Sequence, residues 1–190
     1  MIRRKLQNVD PIVIAAMMAT LAAIALLFVV AAGTATAASG GVGIPTEEPT
    51  VSGQKAKLLK DGRAIPPKSA PRVVKDVIAA ANKIRNKPYI YGGGHGSFED
   101  KGYDCSGAVS YALHGGGLLS SPMPSGSFMK WGDKGAGEWI SIYSHGGHMY
   151  MTVAGLRWDT SGNTDGTDGP SWHKQKRSPK GFTVTHPKGL

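Results

Sequence analysis

The residue with the clearest chemical potential is Cys105, the only cysteine among 190 residues. It follows a glycine-rich loop at residues 92–97 and precedes apolar residues at helical spacing, which continue to the glycine run at 115–117. This pattern predicts a helix that begins at or near Cys105. The unpaired backbone N–H groups and the positive end of the dipole at a helix start favour an anion. A lone cysteine is more often a buried structural residue, so a nucleophilic role requires a base beside the sulfur.

His148 is the candidate general base for such a nucleophile. It opens a predicted strand directly after the Gly146-Gly147 turn, where its side chain can point off the sheet edge toward a neighbouring helix start. Of the other histidines, His145 lies in the turn itself, and His95 and His114 are near Cys105 in sequence alone. His173 and His186 are predicted to lie in solvated tail segments.

Asp159 is the candidate for the group that orients His148. If residues 148–154 pair with residues 156–160 across the Ala154-Gly155 turn, the second strand returns toward His148 and brings the carboxylate to its height. The carboxylate could then accept the imidazole N–H and stabilise the imidazolium. An ordinary turn aspartate is an equally balanced alternative at this position.

Two helices and an antiparallel meander are predicted to carry these residues. The first helix spans residues 69–85, with Ser69 as the N-cap candidate and an apolar stripe on one face. The second helix follows Cys105, and residues 118–137 have no regular period, which predicts a loop. Period-two alternation and a final apolar segment predict four strands, at residues 139–143, 148–153, 156–159 and 182–185.

The segment that precedes this domain is predicted to direct the domain to the outer side of the cytoplasmic membrane. Residues 1–10 form a basic cytoplasmic segment, and residues 11–33 are apolar and long enough for a transmembrane helix or a signal segment. We expect an uncleaved anchor, with cleavage near Ala37 as the alternative that would release a secreted protein. Residues 34–68 are predicted to be a flexible extracytoplasmic linker, and residues 69–190 the folded domain.

The net charge indicates which classes of partner this domain could bind. A net charge of +9 favours an anionic partner such as a cell-envelope polymer or lipid headgroups, and a basic surface that only aids solubility is the plain alternative. Nucleic acid is not expected, because the topology is outward and no zinc-finger, helix-turn-helix or aromatic RNA-binding motif occurs. Neither a cofactor nor a metal is expected. Residues 163–168 lack the first-position aspartate and the terminal glutamate of a calcium loop.

Three stretches together resemble a known family. They are Pro88-Tyr89-Ile90-Tyr91-Gly92-Gly93, Tyr103-Asp104-Cys105-Ser106-Gly107, and the apolar strand that His148 opens. In this order they resemble the NlpC-type cysteine peptidases of bacterial cell walls, over about residues 70–160. The resemblance implies an α+β, reduced papain-like fold, in which a helix carrying the cysteine packs on a small antiparallel sheet carrying the histidine.

The same resemblance implies roles for individual residues. Cys105 would be the nucleophile, His148 the general base, and Tyr89 a hydroxyl near the oxyanion site. The third polar residue of the family would fall at Asp159, or at Thr160 if the preceding turn is one residue longer. The candidate substrate contacts are Asp104, Ser106, Trp131 and Tyr91.

We therefore expect an extracytoplasmic cysteine peptidase or amidase that hydrolyses amide bonds in the stem peptides of peptidoglycan. A catalytically inactive envelope-binding or scaffold domain on the same fold is the alternative from another class. An acyltransferase of the same fold is a third possibility, which only product analysis would distinguish from a hydrolase.

Overall fold

Three adjacent strands with alternating apolar side chains form the base on which the helices pack. The computed structural model describes residues 49–163 and 167–190. In this part of the chain the helices and strands follow the order β1 Lys57–Leu58, β2 Ala64–Ile65, α1 Arg72–Ile84, α2 Cys105–Gly115, α3 Ser125–Phe128, β3 Asp133–Lys134, β4 Ile140–His145, β5 His148–Val153, β6 Leu156–Asp159, β7 Ser171–His173 and β8 Thr183–His186.

The predicted cytoplasmic segment 1–10, the predicted span 11–33 and linker residues 34–48 lie outside the described residues. Within residues 49–163 and 167–190, every helix is too short or too polar to cross a membrane.

The main sheet of the described region has the strand order β3-β8-β4-β5-β6-β7. Strands β4, β5 and β6 form the predicted antiparallel meander, with His145 opposite His148 at the first hairpin and Val153 opposite Leu156 at the second. The strand predicted at residues 148–153 is confirmed, as is the one at residues 156–159. The closing strand is also present, one residue later than predicted, and it pairs with β4.

Side-chain alternation gives the sheet two different faces. Met149, Met151 and Val153 on β5 are fully buried in the hydrophobic core together with residues of α1 and α2. Successive side chains of a strand point to opposite faces, so His148 and Tyr150 lie on the outer face. The predicted α+β fold, with the cysteine-bearing helix against an antiparallel sheet, is confirmed.

Helices α1 and α2 pack closely because of two glycines at the end of α2. A Cβ at Gly115 would lie 2.2 Å from the Cβ of Ala80, and one at Gly116 would lie 2.4 Å from a methyl group of Val77. Helix α1 begins later than predicted: Pro71 is its N-cap, and the Ser69 hydroxyl instead donates to the Gly53 carbonyl at 2.9 Å.

The structure corrects the predicted flexible linker for the residues that it describes. Residues 51–68 lie against the domain, and Ala64 is fully buried. The Ala56 N–H donates to the Ala154 carbonyl at 2.8 Å, and the Asn82 side chain holds both backbone groups of Ala64 at 2.9 Å. These partners lie far away in sequence and the two strands of the segment are two residues long, so the segment has no periodic signal.

Two other predictions need correction. The predicted loop at 118–137 contains the short helix α3 and the short strand β3. His173 was predicted to be solvated, but it lies on β7 opposite Arg157 and is 6% exposed. Strand β7 has three residues and occupies the edge of the sheet, too few for an alternating pattern to be recognised.

Asn82 links three segments, which leads to a prediction on stability. Besides holding Ala64, its Oδ1 accepts a hydrogen bond from the Trp172 indole at 3.0 Å. Asn82→Ala would leave several buried polar groups without partners, so we expect the free energy of unfolding to fall by about 2–3 kcal/mol. Urea denaturation measures this change, with exposed Asn86→Ala as the matched control. Equal stability of the two variants would contradict the role of Asn82 as a clamp.

Candidate active site

Cys105 is the first residue of helix α2, as the sequence predicted. Asp104 is the N-cap: it has extended backbone angles, and its Oδ1 accepts the Gly107 N–H at 2.8 Å. The backbone N–H of Cys105 is therefore one of the helix-start donors that have no acceptor within the helix. The cysteine is only 9% exposed, so its sulfur lies at the floor of the site.

The glycine-rich loop lies directly across the start of α2. The Gly92 N–H donates to Asp104 Oδ2 at 3.1 Å, and the Asp104 N–H donates to the Gly93 carbonyl at 3.2 Å. Gly107 makes this approach possible, because a Cβ there would lie 2.0 Å from the Gly93 carbonyl oxygen. The loop and the helix start thus form one unit around Cys105.

His148, the first residue of β5, connects Cys105 to Asp159. Its Nε2 lies 3.1 Å from Asp159 Oδ1, which leaves Nδ1 as the ring nitrogen available to the sulfur. Burial lowers the pKa of His148, but the hydrogen bonds and charges of Asp159 and Cys105 outweigh burial and raise it to about 9. The geometry thus favours an imidazolium held between a carboxylate and the sulfur.

Asp159 makes more contacts than a turn aspartate would. Its side chain is fully buried, and Oδ1 also accepts the backbone N–H and the hydroxyl of Ser161 at 3.1 and 3.2 Å. Oδ2 pairs with Arg177 at 3.0 Å and with Arg157 at 3.5 Å. Burial raises the pKa of Asp159, but His148 and the two arginines outweigh it and lower the value. Thr160, the alternative candidate for the third polar residue, is also buried, but Nε2 of His148 bonds to Asp159.

Trp158 fixes the sheet against the helix that carries the cysteine. It is fully buried, and its indole N–H donates to the Ala108 carbonyl in the first turn of α2 at 3.2 Å. Trp158 directly precedes Asp159. The strand position of Asp159 is therefore fixed relative to the helix that carries Cys105.

Tyr89 lies near enough to the cysteine for the two groups to interact electrostatically. It is 40% exposed and forms an isolated bridge with Tyr103. Burial raises the pKa of Tyr89, and the nearby charges of Cys105 and Asp104 raise it further, as expected for a phenol close to the sulfur.

His95 belongs to the site, although the sequence suggested that it was near Cys105 in the chain alone. Its Nε2 lies 3.0 Å from both Asp104 Oδ1 and Ser106 Oγ, and Ser106 Oγ donates to the same carboxylate oxygen at 3.1 Å. Asp104 and Ser106 thus flank Cys105 in one hydrogen-bonded cluster. The polar, glycine-rich setting of His95 was a signal for this placement.

The remaining predicted substrate contacts lie elsewhere. Tyr91 is 90% exposed on the glycine-rich loop, next to the site in sequence. Trp131 packs edge-on against Phe128, with ring centroids 5.6 Å apart. The sequence reasoning missed Arg177, which stands in a basic run and carries no local signal of contact with Asp159.

Residues 49–163 and 167–190 contain no group of three or more histidine, cysteine, aspartate or glutamate side chains that could hold a metal ion. The oxygen-rich stretch 163–168 is only partly described, since residues 164–166 lie outside the described part of the chain.

Comparisons with known proteins give no match to a protein-family model or to a curated protein. Solved structures from Mycobacterium tuberculosis are similar. The peptidoglycan hydrolase RipB is 27% identical, with a TM-score of 0.48 over 62% of this chain and 68% of its own. RipD, a non-catalytic NlpC/p60 domain protein adapted to peptidoglycan binding, is 19% identical, with a TM-score of 0.46 over 62% of this chain and 98% of its own.

The third structure is Rv1477, described as a hypothetical invasion protein. It is 17% identical, with a TM-score of 0.44 over 72% of this chain and 92% of its own. The similar structures are NlpC/p60 domain proteins. The family resemblance in the motifs predicted such neighbours. The TM-scores of these three structures are below 0.5, so we infer the chemistry of the site from the residues of this chain alone.

Gly107→Ala tests the close contact between the loop and the helix. The added methyl group would overlap the Gly93 carbonyl, so we expect the loop to be displaced and the free energy of unfolding to fall by about 1–3 kcal/mol. Thermal unfolding measures the loss, and the rate of Cys105 alkylation reports the opening of the loop. Gly96→Ala is the control, because a Cβ there meets nothing within 4 Å. Wild-type stability and alkylation in Gly107→Ala would contradict the contact.

The His148 pKa of about 9 makes a prediction on pH dependence. The folded value is raised above 6.5, so the stabilisation from protonated His148 is complete below about pH 6.5 and is lost as pH rises through about 9. NMR titration of the ring should give a pKa of about 9, and Asp159→Asn should lower it. Asp133→Asn, which removes an exposed carboxylate, should leave it unchanged. A wild-type value at or below 6.5 would contradict this assignment.

Proposed function

We propose that this chain is a cysteine-type hydrolase that cleaves amide bonds in the stem peptides of peptidoglycan. The observation that carries the proposal is the hydrogen bond of His148 to the buried carboxylate of Asp159, on a histidine whose pKa the nearby Cys105 also raises. This is the arrangement that nucleophilic catalysis by a thiol requires, with a base at the nucleophile and a third group that orients the base.

The first half of the reaction forms an acyl-enzyme. Cys105 gives its proton to His148, and the thiolate attacks the carbonyl carbon of the scissile amide, forming a C–S bond. The Cys105 backbone N–H and the Tyr89 hydroxyl donate hydrogen bonds to the resulting oxyanion. His148 then protonates the amine as the C–N bond breaks, which leaves a thioester on Cys105.

The second half releases the acid. His148, now neutral, removes a proton from water as the water attacks the thioester carbonyl. Collapse of this intermediate breaks the C–S bond, His148 returns the proton to sulfur, and the product leaves as a carboxylic acid. Asp159 stays ionised throughout and holds Nε2, so that Nδ1 faces the sulfur.

Asp104 and Ser106 are the residues that we propose contact the substrate beside Cys105. Both flank the nucleophile, and Asp104 places a carboxylate beside it. We assign them to contacts with the stem peptide. A carboxylate next to the nucleophile favours a substrate with an amine near the scissile bond.

Location is part of the proposal. The basic residues at the start of the chain and the apolar run at 11–33 support an anchored protein with its catalytic domain on the outer side of the membrane. Cleavage near Ala37 would give a secreted form with the same domain. Both locations give access to peptidoglycan.

The similar structures include both a peptidoglycan hydrolase and a non-catalytic domain, so the choice between an enzyme and a binding module depends on the site itself. A silent binding domain has no need for a histidine held between the single cysteine and a buried carboxylate. The Cys105–His148–Asp159 contacts therefore support the enzyme.

Mass spectrometry of muropeptides after digestion with the purified full chain tests the proposal. We expect Cys105→Ala and His148→Ala to lower turnover by at least about 10³-fold, and Asp159→Asn by about 10²–10⁴-fold, with folding checked by circular dichroism. His186→Gln is the control, because the His186 imidazole bonds to the Gly135 carbonyl at 3.0 Å, away from the Cys105 site, and its replacement should keep wild-type turnover. Undiminished cleavage by Cys105→Ala, or no cleavage by the wild type, would reject the hydrolase.

A further inference from the structure

A cavity of about 370 Å³ lies on the outer face of the sheet, next to the side of Asp159 that faces away from His148. Strands β4, β5 and β6 form its floor, and the segment after β7 forms its wall. The residues on which the argument depends are Tyr143, Tyr150, Arg157, Lys174, Lys176 and Arg177. The mechanism above uses none of them to contact the substrate.

The lining is strongly cationic. Among the residues that the structure describes, the lining contains four basic side chains and no carboxylate. Two of the four, Arg157 and Arg177, pair with Asp159, whose carboxylate also bonds to His148. Among the described residues, Lys174 and Lys176 have no ion-pair partner. The positive charge of the cavity therefore exceeds what the protein neutralises.

One of these cations is buried in an unusual way. The Arg157 side chain is only 9% exposed, and its Nε makes no hydrogen bond, although it lies 3.5 Å from Asp159. A buried charged donor without a hydrogen-bond partner is costly and needs an explanation. An anion in the cavity that Arg157 lines would add a second anionic partner to the one that Asp159 provides.

The walls are preformed. The rings of Tyr143 and Tyr150 are stacked with centroids 4.6 Å apart and planes 2° apart. The Tyr150 hydroxyl donates to the Arg177 carbonyl at 3.3 Å, and the Arg177 guanidinium lies 5.7 Å from the Tyr150 ring centre. These contacts hold the basic segment over the sheet, so little ordering is left for a ligand to impose.

We propose that this cavity binds a phosphate group, supplied either as free phosphate or as a phosphodiester of an anionic polymer. Guanidinium groups and lysine ammonium groups are the donors that recognise phosphate oxygens. The proposal does not depend on catalysis at Cys105, because the cavity shares none of the reacting groups.

Isothermal titration calorimetry of the full chain in non-ionic detergent at low salt tests the site. The probes are sodium phosphate, poly(glycerol phosphate) and polyglutamate of equal charge. We expect a phosphate-bearing probe to bind, and Lys174→Ala/Lys176→Ala to weaken that binding about 10-fold or more. Binding of sodium phosphate alone identifies a site for free phosphate, and binding of the polymer alone or more tightly identifies a polymer site.

The matched control is Lys130→Ala/Lys188→Ala, which removes the same charge at two exposed lysines outside the cavity and should keep wild-type affinity. Equal weakening by the two double variants would overturn the proposal, because it would indicate attraction by overall charge. Polyglutamate binding as tight as the phosphate polymer, or no binding of either phosphate probe, would also overturn it. Muropeptide cleavage is measured separately, so loss of this site and loss of hydrolase activity are distinguishable.

Discussion

The buried carboxylate of Asp159 is the interaction on which the rest of the site depends. An isolated charge in that position would cost several kcal/mol, so the fold must bring compensating groups to it. They come from three parts of the chain: His148 on β5, Arg157 on β6, and Arg177 in the segment after β7. The same charge that orients the imidazole therefore also fixes the meander and the C-terminal segment relative to each other.

A second constraint acts at the start of the cysteine helix. Asp104 accepts the Gly107 N–H of the helix and the Gly92 N–H of the glycine-rich loop, so the backbone around Cys105 is fixed from two sides. Trp158 bonds the first turn of this helix to the strand that ends in Asp159. Nucleophile and orienting group are thus connected through a short series of buried contacts.

The two faces of the sheet divide the work of the domain. One face packs against α2 and α3, with α1 packed on α2, and provides the core, while the other holds His148, Asp159 and the basic cavity. Arg177 belongs to both features of the outer face, because its guanidinium pairs with Asp159 and lines the cavity. An anion bound in the cavity would therefore lie close to the charged groups that surround Asp159.

The sequence alone determined the parts of the site that local patterns control. The change from glycine loop to helical spacing placed Cys105 at a helix start, and strict alternation between two glycine turns placed the strands of His148 and Asp159 with the correct bounds. The tertiary structure alone decided the contacts of Arg177 and the docking of residues 51–68. The physical reason is that period, capping and turn signals arise from neighbours within one element, whereas these contacts join segments whose separation in sequence leaves no local trace.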